Sequence, residues 1–213
     1  MIAHKLSWAL LDAPPNWLLH LPIPYKKRVI EYTTLAEARK LSQARFVKPA
    51  LEKLFAATVY PSGVHLFEES EGLAEATPVL VSEPVEWDIE FRFFVLEQRV
   101  TTFSSYWRGN RPTRLDDGTW QAESAEIEEA RHFIDSLLAD SRVQIPPAIV
   151  IDAGKIRDRG WAVIEANAAW AAGIYGCDPL QILPVLEHAC IHRTQLTPEL
   201  VVWESNRNAK RAR

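Results

Sequence analysis

The sequence predicts an α+β fold whose sheets are mostly antiparallel. Residues 78–106 are the most strand-rich region of the chain, and a polar turn joins a second pair of strand-forming runs further on. Only a few segments show helical periodicity, so strands outnumber helices. Strands and helices also do not alternate strictly along the chain, as they would in a parallel sheet. The predicted strands of these two regions are 79–82, 89–95, 100–106, 149–152 and 161–165.

Proline, glycine and capping residues define the elements of the first third of the chain. Four prolines within residues 1–30 interrupt any long helix. The elements that follow are a helix over 35–43 capped by Thr34, a strand at 45–48 ended by Pro49, and a hairpin with strands at 56–60 and 64–67 around Pro61-Ser62-Gly63.

Two helices are predicted in the rest of the chain. Residues 107–122 are rich in turn formers and form a loop, after which Ser124 caps a helix that ends near Asp140. The last helix opens at Asp178-Pro179, and the basic tail 206–213 is expected to fray. The apolar face of the helix from Ser124 consists of Ile127, Ala130, Ile134, Leu137 and Leu138.

Composition excludes several classes of protein. A net charge of −4 disfavours nucleic acid as the main partner, and no run approaches the ~20 apolar residues of a membrane helix. Two cysteines make no disulfide framework, and the N-terminus lacks a signal peptide, which predicts a cytoplasmic protein. Neither glycine-rich phosphate-binding pattern occurs, so side chains must hold any nucleotide.

Three oxygen-bearing side chains are predicted to meet at the end of the second strand pair. Glu165 and Asn167 are two residues apart and point the same way along a strand, and Asp152 lies opposite them if the strands pair through the turn. Such a set suits magnesium, which binds a few protein oxygens together with ATP phosphates. The alternative is that Asp152 and Asn167 are turn residues and Glu165 is solvated.

Two other features carry charge on strands. Lys48 lies at the end of a strand next to apolar residues, and Lys53 follows five residues later. Lys48 is either a point charge suited to binding phosphate or a lysine that extends from a strand edge into solvent. Glu90 and Arg92 share one face of a strand, where the arginine can brace a transferring phosphoryl group or form a solvated ion pair.

The order of these pieces resembles the ATP-grasp superfamily, and within it the divergent clade named for one arginine and two lysines. The resemblance covers about residues 40–180, and its specificity comes from five motifs in the order of the superfamily. The motifs are Phe46-Val-Lys48-Pro with Lys53, then Ser82-Glu-Pro-Val85, Glu90-Phe-Arg92-Phe-Phe-Val95 with Ser105-Tyr106, Val150-Ile-Asp152, and Ile164-Glu165-Ala-Asn167.

The resemblance implies that ATP lies between two α+β subdomains with mostly antiparallel sheets. Lys48 and Lys53 would contact the phosphates, and Arg92 would stabilise the γ-phosphate or an acyl-phosphate as a third catalytic cation. The backbone of Glu83, Pro84 and Val85 would meet adenine, and Glu86 or Asp88 the ribose. Asp152, Glu165 and Asn167 would hold Mg²⁺, with Glu165 bridging two ions.

The implied function is that of an ATP-dependent carboxylate–amine ligase acting through an acyl-phosphate, with a peptide or protein as the substrate class. A non-catalytic nucleotide-binding protein and a phosphotransferase are the alternatives. The expected organisation is a reduced N-terminal segment (1–40), an ATP-grasp domain (41–192) and a C-terminal extension (193–213). The acid and the amine are not identified by the sequence.

Overall fold

A computed structural model describes residues 6–205, so the predicted frayed tail 206–213 lies outside the described residues. Two sheets with their own helices make up most of the molecule. The strands are β1 (Trp8–Leu10), β2 (Ile30–Thr34), β3 (Arg45–Pro49), β4 (Thr58–Tyr60), β5 (Pro78–Ser82), β6 (Trp87–Leu96), β7 (Arg99–Arg108), β8 (Arg111–Pro112), β9 (Ala148–Ile156), β10 (Gly160–Asn167) and β11 (Cys190–His192). The helices are α1 (Trp17–His20), α2 (Ile23–Lys26), α3 (Leu35–Ala38), α4 (Gly63–Glu69), α5 (Ser124–Ala139), α6 (Pro179–Ala189) and α7 (Pro198–Val201).

The smaller of the two sheets has four antiparallel strands in the order β2-β5-β3-β4. Helices α3 and α4 cover one of its faces. Its core is formed by Leu35, Val47, Leu66, Val79 and Val81, each at most 4% exposed. Lys48 also lies in this sheet, on β3, where it pairs with Leu80 of the other central strand, β5.

The larger sheet has five antiparallel strands in the order β10-β9-β6-β7-β8. Both of its faces are covered, because Ile151 on β9 packs toward α5 while its neighbour Val150 packs toward α6. Burial on both faces explains why β6 and β9 read as nearly continuous apolar runs. Asp152 and Arg92 interrupt those runs as buried charged residues.

The N-terminal residues join both halves of the molecule. Strand β1 pairs with β11 in a separate two-stranded sheet, α1 contributes Trp17 and Leu18 to the core beneath the larger sheet, and β2 belongs to the smaller sheet. The domain boundaries at residues 40 and 192 stay predictions. No helix in residues 6–205 is both long and apolar enough to cross a bilayer.

The structure confirms the five strands predicted at 79–82, 89–95, 100–106, 149–152 and 161–165, each within a longer strand. It also confirms the two later helices, as α5 and α6. The helix predicted over 35–43 begins where expected, with the Thr34 side chain accepting a hydrogen bond from the Glu37 N–H at 3.3 Å. It stops at Ala38 because Lys40 and Leu41 donate to carbonyls three residues back, which tightens and ends the helix.

Two local predictions are wrong. Residues 64–67 form no second hairpin strand but lie in α4, because Leu66 turns into the core of the smaller sheet while Val64 and Phe67 remain exposed. The cap of α5 is Glu123 and not Ser124: the Glu126 carboxylate accepts a hydrogen bond from the Glu123 N–H at 3.0 Å, and Ser124 is the first helical residue.

Candidate active site

An ion pair joins the smaller sheet to the larger sheet. Lys48 on β3 of the smaller sheet donates to Oε2 of Glu165 on β10 of the larger sheet, and the two side chains are 21% and 31% exposed. Burial acts to raise the pKa of Glu165, but the charge and hydrogen bond of Lys48 outweigh it, so the pKa lies below its ordinary value. Glu165 is therefore a carboxylate at neutral pH.

A β-bulge places Glu165 on this side of its strand. Up to Val163, strand β10 pairs in regular register with β9, but beyond the bulge Glu165 pairs with Asp152. The extra residue is Ile164. Val163 packs into the core under α5, so strict alternation would send Glu165 into the same core. The bulge reverses the alternation and brings Glu165 onto the face of Asp152.

Asp152 is the most deeply buried charge of the site. It is 1% exposed, and its carboxylate accepts hydrogen bonds from Arg92 Nε at 2.8 Å and from Arg92 Nη2 at 2.7 Å. Asn167 Nδ2 lies 3.0 Å from both Asp152 Oδ2 and Glu165 Oε1. The predicted convergence of Asp152, Glu165 and Asn167 is therefore present in the structure.

The buried ion pair is charged at neutral pH. Burial raises the pKa of Asp152 to about 6, against the lowering effect of the Arg92 hydrogen bonds and charge. For Arg92, burial alone would lower the pKa, but the hydrogen bonds and charge of Asp152 raise it above its ordinary value. The Arg92 guanidinium also donates to the Gly173 carbonyl at 2.9 Å and lies 4.7 Å from the Tyr175 ring.

The donor set fits a magnesium ion that takes its remaining ligands from phosphates. Glu165 and Asn167 line an open cavity, whereas Asp152 does not line it and both of its carboxylate oxygens accept hydrogen bonds from Arg92. Within residues 6–205 no group of three or more His, Cys, Asp or Glu side chains forms a metal cluster by itself. Magnesium is usually bound by a few protein oxygens, and phosphate oxygens complete its coordination.

Two cavities meet at the ion pair. The smaller cleft cavity, about 240 Å³, lies between the sheets and has a lining that is more apolar than polar. The larger cleft cavity, about 950 Å³, adjoins it and has the more polar lining. Lys48, Leu80 and Glu165 line both cavities, so the ion pair stands at their junction. Phe46, Val85, Trp87 and Ile164 line the smaller cavity, and Lys53, Arg92, Asn167 and Tyr175 line the larger one.

The structure brings most predicted site residues to this cleft, but Pro84, Glu86 and Asp88 line neither cavity, and Asp152 is buried behind Arg92. Lys53 lies on the larger cavity, and Glu83 and Val85 lie on the smaller one. Glu86 and Asp88 line neither cavity and both pair with Arg157 at the surface. An irregularity between Trp87 and Ile89 breaks the alternation of β6, so Asp88 does not share the face of Glu90.

Sequence reasoning missed two residues that line the smaller cavity. Glu90 accepts a hydrogen bond from the Tyr106 hydroxyl, and burial together with the charges of Asp152 and Glu165 raises its pKa. Its shared face with Arg92 was visible in the strand pattern and could have identified it. Arg28 also lines this cavity and donates to main-chain carbonyls of β10, contacts that no sequence pattern indicates.

Comparisons with known proteins identify a family and several similar structures. The model of an ATP-grasp domain family, the second family of the clade named for one arginine and two lysines, matches residues 25–185. No curated protein sequence matches significantly. Among solved structures, C-terminally truncated Cdc123 from Schizosaccharomyces pombe matches with 14% identity and a TM-score of 0.45, over 75% of this chain and 87% of that chain.

Two ligase structures match over smaller parts of their own chains. The L-amino acid ligase from Bacillus licheniformis matches with 16% identity and a TM-score of 0.48, over 74% of this chain and 40% of that one. The ATP complex of D-alanine–D-alanine ligase from Bacillus anthracis matches with 15% identity and a TM-score of 0.45, over 77% and 59%. This chain therefore spans less than two thirds of either ligase.

Proposed function

This chain belongs to the ATP-grasp superfamily, in the clade named for one arginine and two lysines, and from that premise we propose that it is an ATP-dependent carboxylate–amine ligase. It forms an acyl-phosphate on a peptide or protein carboxylate and transfers the acyl group to an amine. The observation that supports this most is the Lys48–Glu165 pair at the junction of two cavities, with Arg92 in the wall of the larger one.

The nucleoside lies in the smaller cavity. Its apolar lining residues Phe46, Val85 and Ile164 suit a purine ring. Among the three predicted hinge residues, the Glu83 N–H donates to the Val29 carbonyl at 3.0 Å and Pro84 has no N–H, which leaves the Val85 N–H to meet the adenine edge. Glu90 lies in the same cavity and is better placed than Glu86 or Asp88 to accept from the ribose hydroxyls.

The phosphates extend toward the larger cavity past Lys48. Binding replaces the Lys48–Glu165 pair: the ammonium turns to phosphate, and the carboxylate is left to hold magnesium with Asn167. Lys53, exposed on the loop after β3, supplies a second cation to the same phosphates. Magnesium, when bound, neutralises charge on the phosphates.

Arg92 faces the reacting groups from the larger cavity. A carboxylate that attacks the γ-phosphate brings two anions together, so a fixed cation lowers the barrier by stabilising the charge that develops. The bidentate contact with Asp152 holds the guanidinium in one orientation and removes the cost of arranging it during the reaction. The carboxylate and amine substrates enter through this cavity, whose volume lies within the range of about 300–1,000 Å³ typical of small-molecule sites.

Trapping with hydroxylamine tests the reaction class. We expect the protein, incubated with ATP, magnesium and a mixed peptide library, to release ADP and phosphate and to convert peptide carboxylates into hydroxamates detectable by mass spectrometry. An acyl-phosphate reacts readily with hydroxylamine, whereas a phosphate ester on a hydroxyl does not. Reactions without ATP or without hydroxylamine serve as controls.

Two other outcomes would replace the proposal. Peptides that retain phosphate and yield no hydroxamate would identify a phosphotransferase. ATP binding without ADP release across the library would favour a non-catalytic nucleotide-binding protein.

A further inference from the structure

Arg28 is a cation in the cleft that has no role in binding the phosphates or magnesium in the proposed function. It lies in the connection between α2 and β2, outside both strands that carry the proposed magnesium ligands. Its guanidinium donates to the carbonyl of Val163 at 2.7 Å and to the carbonyl of Ile164 at 3.0 Å. These two carbonyls belong to the bulge that precedes Glu165.

The contacts of Arg28 fix the bulge from one side. A bulge interrupts the ladder of main-chain hydrogen bonds, so its carbonyls need partners from elsewhere. The planar fork of an arginine can donate to two adjacent carbonyls at once, which a lysine cannot do with comparable geometry. The guanidinium also lies 5.0 Å from the centroid of the Trp87 ring and donates to the Lys26 carbonyl at 3.1 Å, so its own position is fixed by packing and by its local chain.

The side chain of the bulge residue is also held by packing. A Cβ at Gly154 would lie 3.1 Å from the Ile164 side chain and 2.7 Å from Trp87, so the glycine leaves the room that both side chains occupy. The Ile164 side chain therefore packs close to Gly154, while the Ile164 carbonyl is held by Arg28. The burial of Arg28 lowers its pKa to about 10, against the charges of Glu165 and Glu83, and the group remains a cation at neutral pH.

We propose that Arg28 is a positioning residue that holds the β10 bulge and thereby presents the Glu165 carboxylate to magnesium. The inference rests on the proposed function, because it assumes that Glu165 is a metal ligand. Arg28 acts through the main chain and does not bind the ion. Without its two hydrogen bonds the bulge can relax toward regular pairing, in which Glu165 turns toward the core under α5.

The test compares Arg28→Lys and Arg28→Gln with Arg39→Lys. Arg39 is a matched control at the end of α3: its side chain is 10% exposed, it donates to the Ser70 carbonyl, and it lies 4.7 Å from the Phe67 ring, away from the cleft. The magnesium concentration for half-maximal binding of a non-hydrolysable ATP analogue is measured for each. Loss of a residue that orients a metal ligand typically weakens metal binding about 10- to 100-fold.

We expect the magnesium midpoint to rise about tenfold or more in both Arg28 variants and to stay unchanged in Arg39→Lys. Hydrogen exchange of the ligand-free protein should also accelerate at residues 163–166 in the Arg28 variants alone. This second measurement needs neither ATP nor metal, so it separates failure of the positioning role from failure of the proposed function.

Two results would overturn the inference. Unchanged exchange at 163–166, with a wild-type magnesium midpoint in any variant that binds the analogue, would show that the bulge does not depend on Arg28. Loss of the folded state in both Arg28 variants, while Arg39→Lys folds, would make Arg28 a structural residue only.

Discussion

Glu165→Gln is expected to lower turnover about a hundredfold while weakening binding of the ATP analogue much less. The carboxylate contributes a charge to the magnesium site, and this charge matters most as negative charge develops on the transferring phosphoryl group. An interaction that strengthens in the transition state affects kcat more than ground-state affinity. The substitution also leaves Lys48 without its anionic partner, so a modest loss of stability accompanies the loss of rate.

The measurement is ADP release at saturating ATP and magnesium, with Glu129→Gln as the matched control. Glu129 also forms an ion pair with a strand lysine, Lys155 at 2.8 Å, but it lies on α5 away from the cleft. Wild-type turnover in Glu165→Gln, or an equal loss in both variants, would remove Glu165 from the catalytic site.

Asp152→Ala is expected to destabilise the protein by about 3–5 kcal/mol, the range typical of breaking a buried ion pair by removing one partner. Asp152 is 1% exposed and accepts two hydrogen bonds from Arg92, itself 7% exposed. The variant leaves a largely buried arginine charge without its carboxylate partner. Urea denaturation should show the loss as a lower midpoint.

The double variant Asp152→Leu with Arg92→Met separates the cost of an unpaired charge from the value of the pair. Replacing both partners by apolar residues removes the unpaired charge, so the double variant should be more stable than Asp152→Ala. Asp135→Ala, which breaks the exposed pair with Arg131, should be nearly neutral. A wild-type urea midpoint for Asp152→Ala would show that the pair is not a buried, charge-dependent contact.

Much of the larger sheet could be predicted from the sequence because its strands are long and apolar. The same pattern predicted that Asp152 and Glu165 lie opposite each other, which the structure confirms. The prediction could not include the bulge, although the pairing depends on it: in unbroken register Ile164 would pair with Asp152. Bulges depend on side-chain packing and on distant partners such as Arg28. The periodicity of a strand gives no information about either.

Contacts between distant segments also limit what the sequence shows of the site. Glu86 and Asp88 follow the hinge in sequence, as ribose-binding residues would, but Arg157 from the β9–β10 turn holds both at the surface. The predicted hairpin at 56–67 is wrong for a similar reason. Pro61 and Ser62 form a bend as predicted, but Gly63 already begins the helix, and the position of Leu66 against the smaller sheet makes the second segment helical.

The proposed function requires ATP to bind between the two sheets through Lys48 and through magnesium held at Glu165 and Asn167. Titration of a non-hydrolysable ATP analogue, with magnesium and with EDTA, tests it most directly. We predict that magnesium tightens binding about tenfold or more, equivalent to about 1.4 kcal/mol, and that Glu165→Gln reduces this gain. Equal affinity of the wild-type protein in the two conditions would contradict the assignment of the metal site.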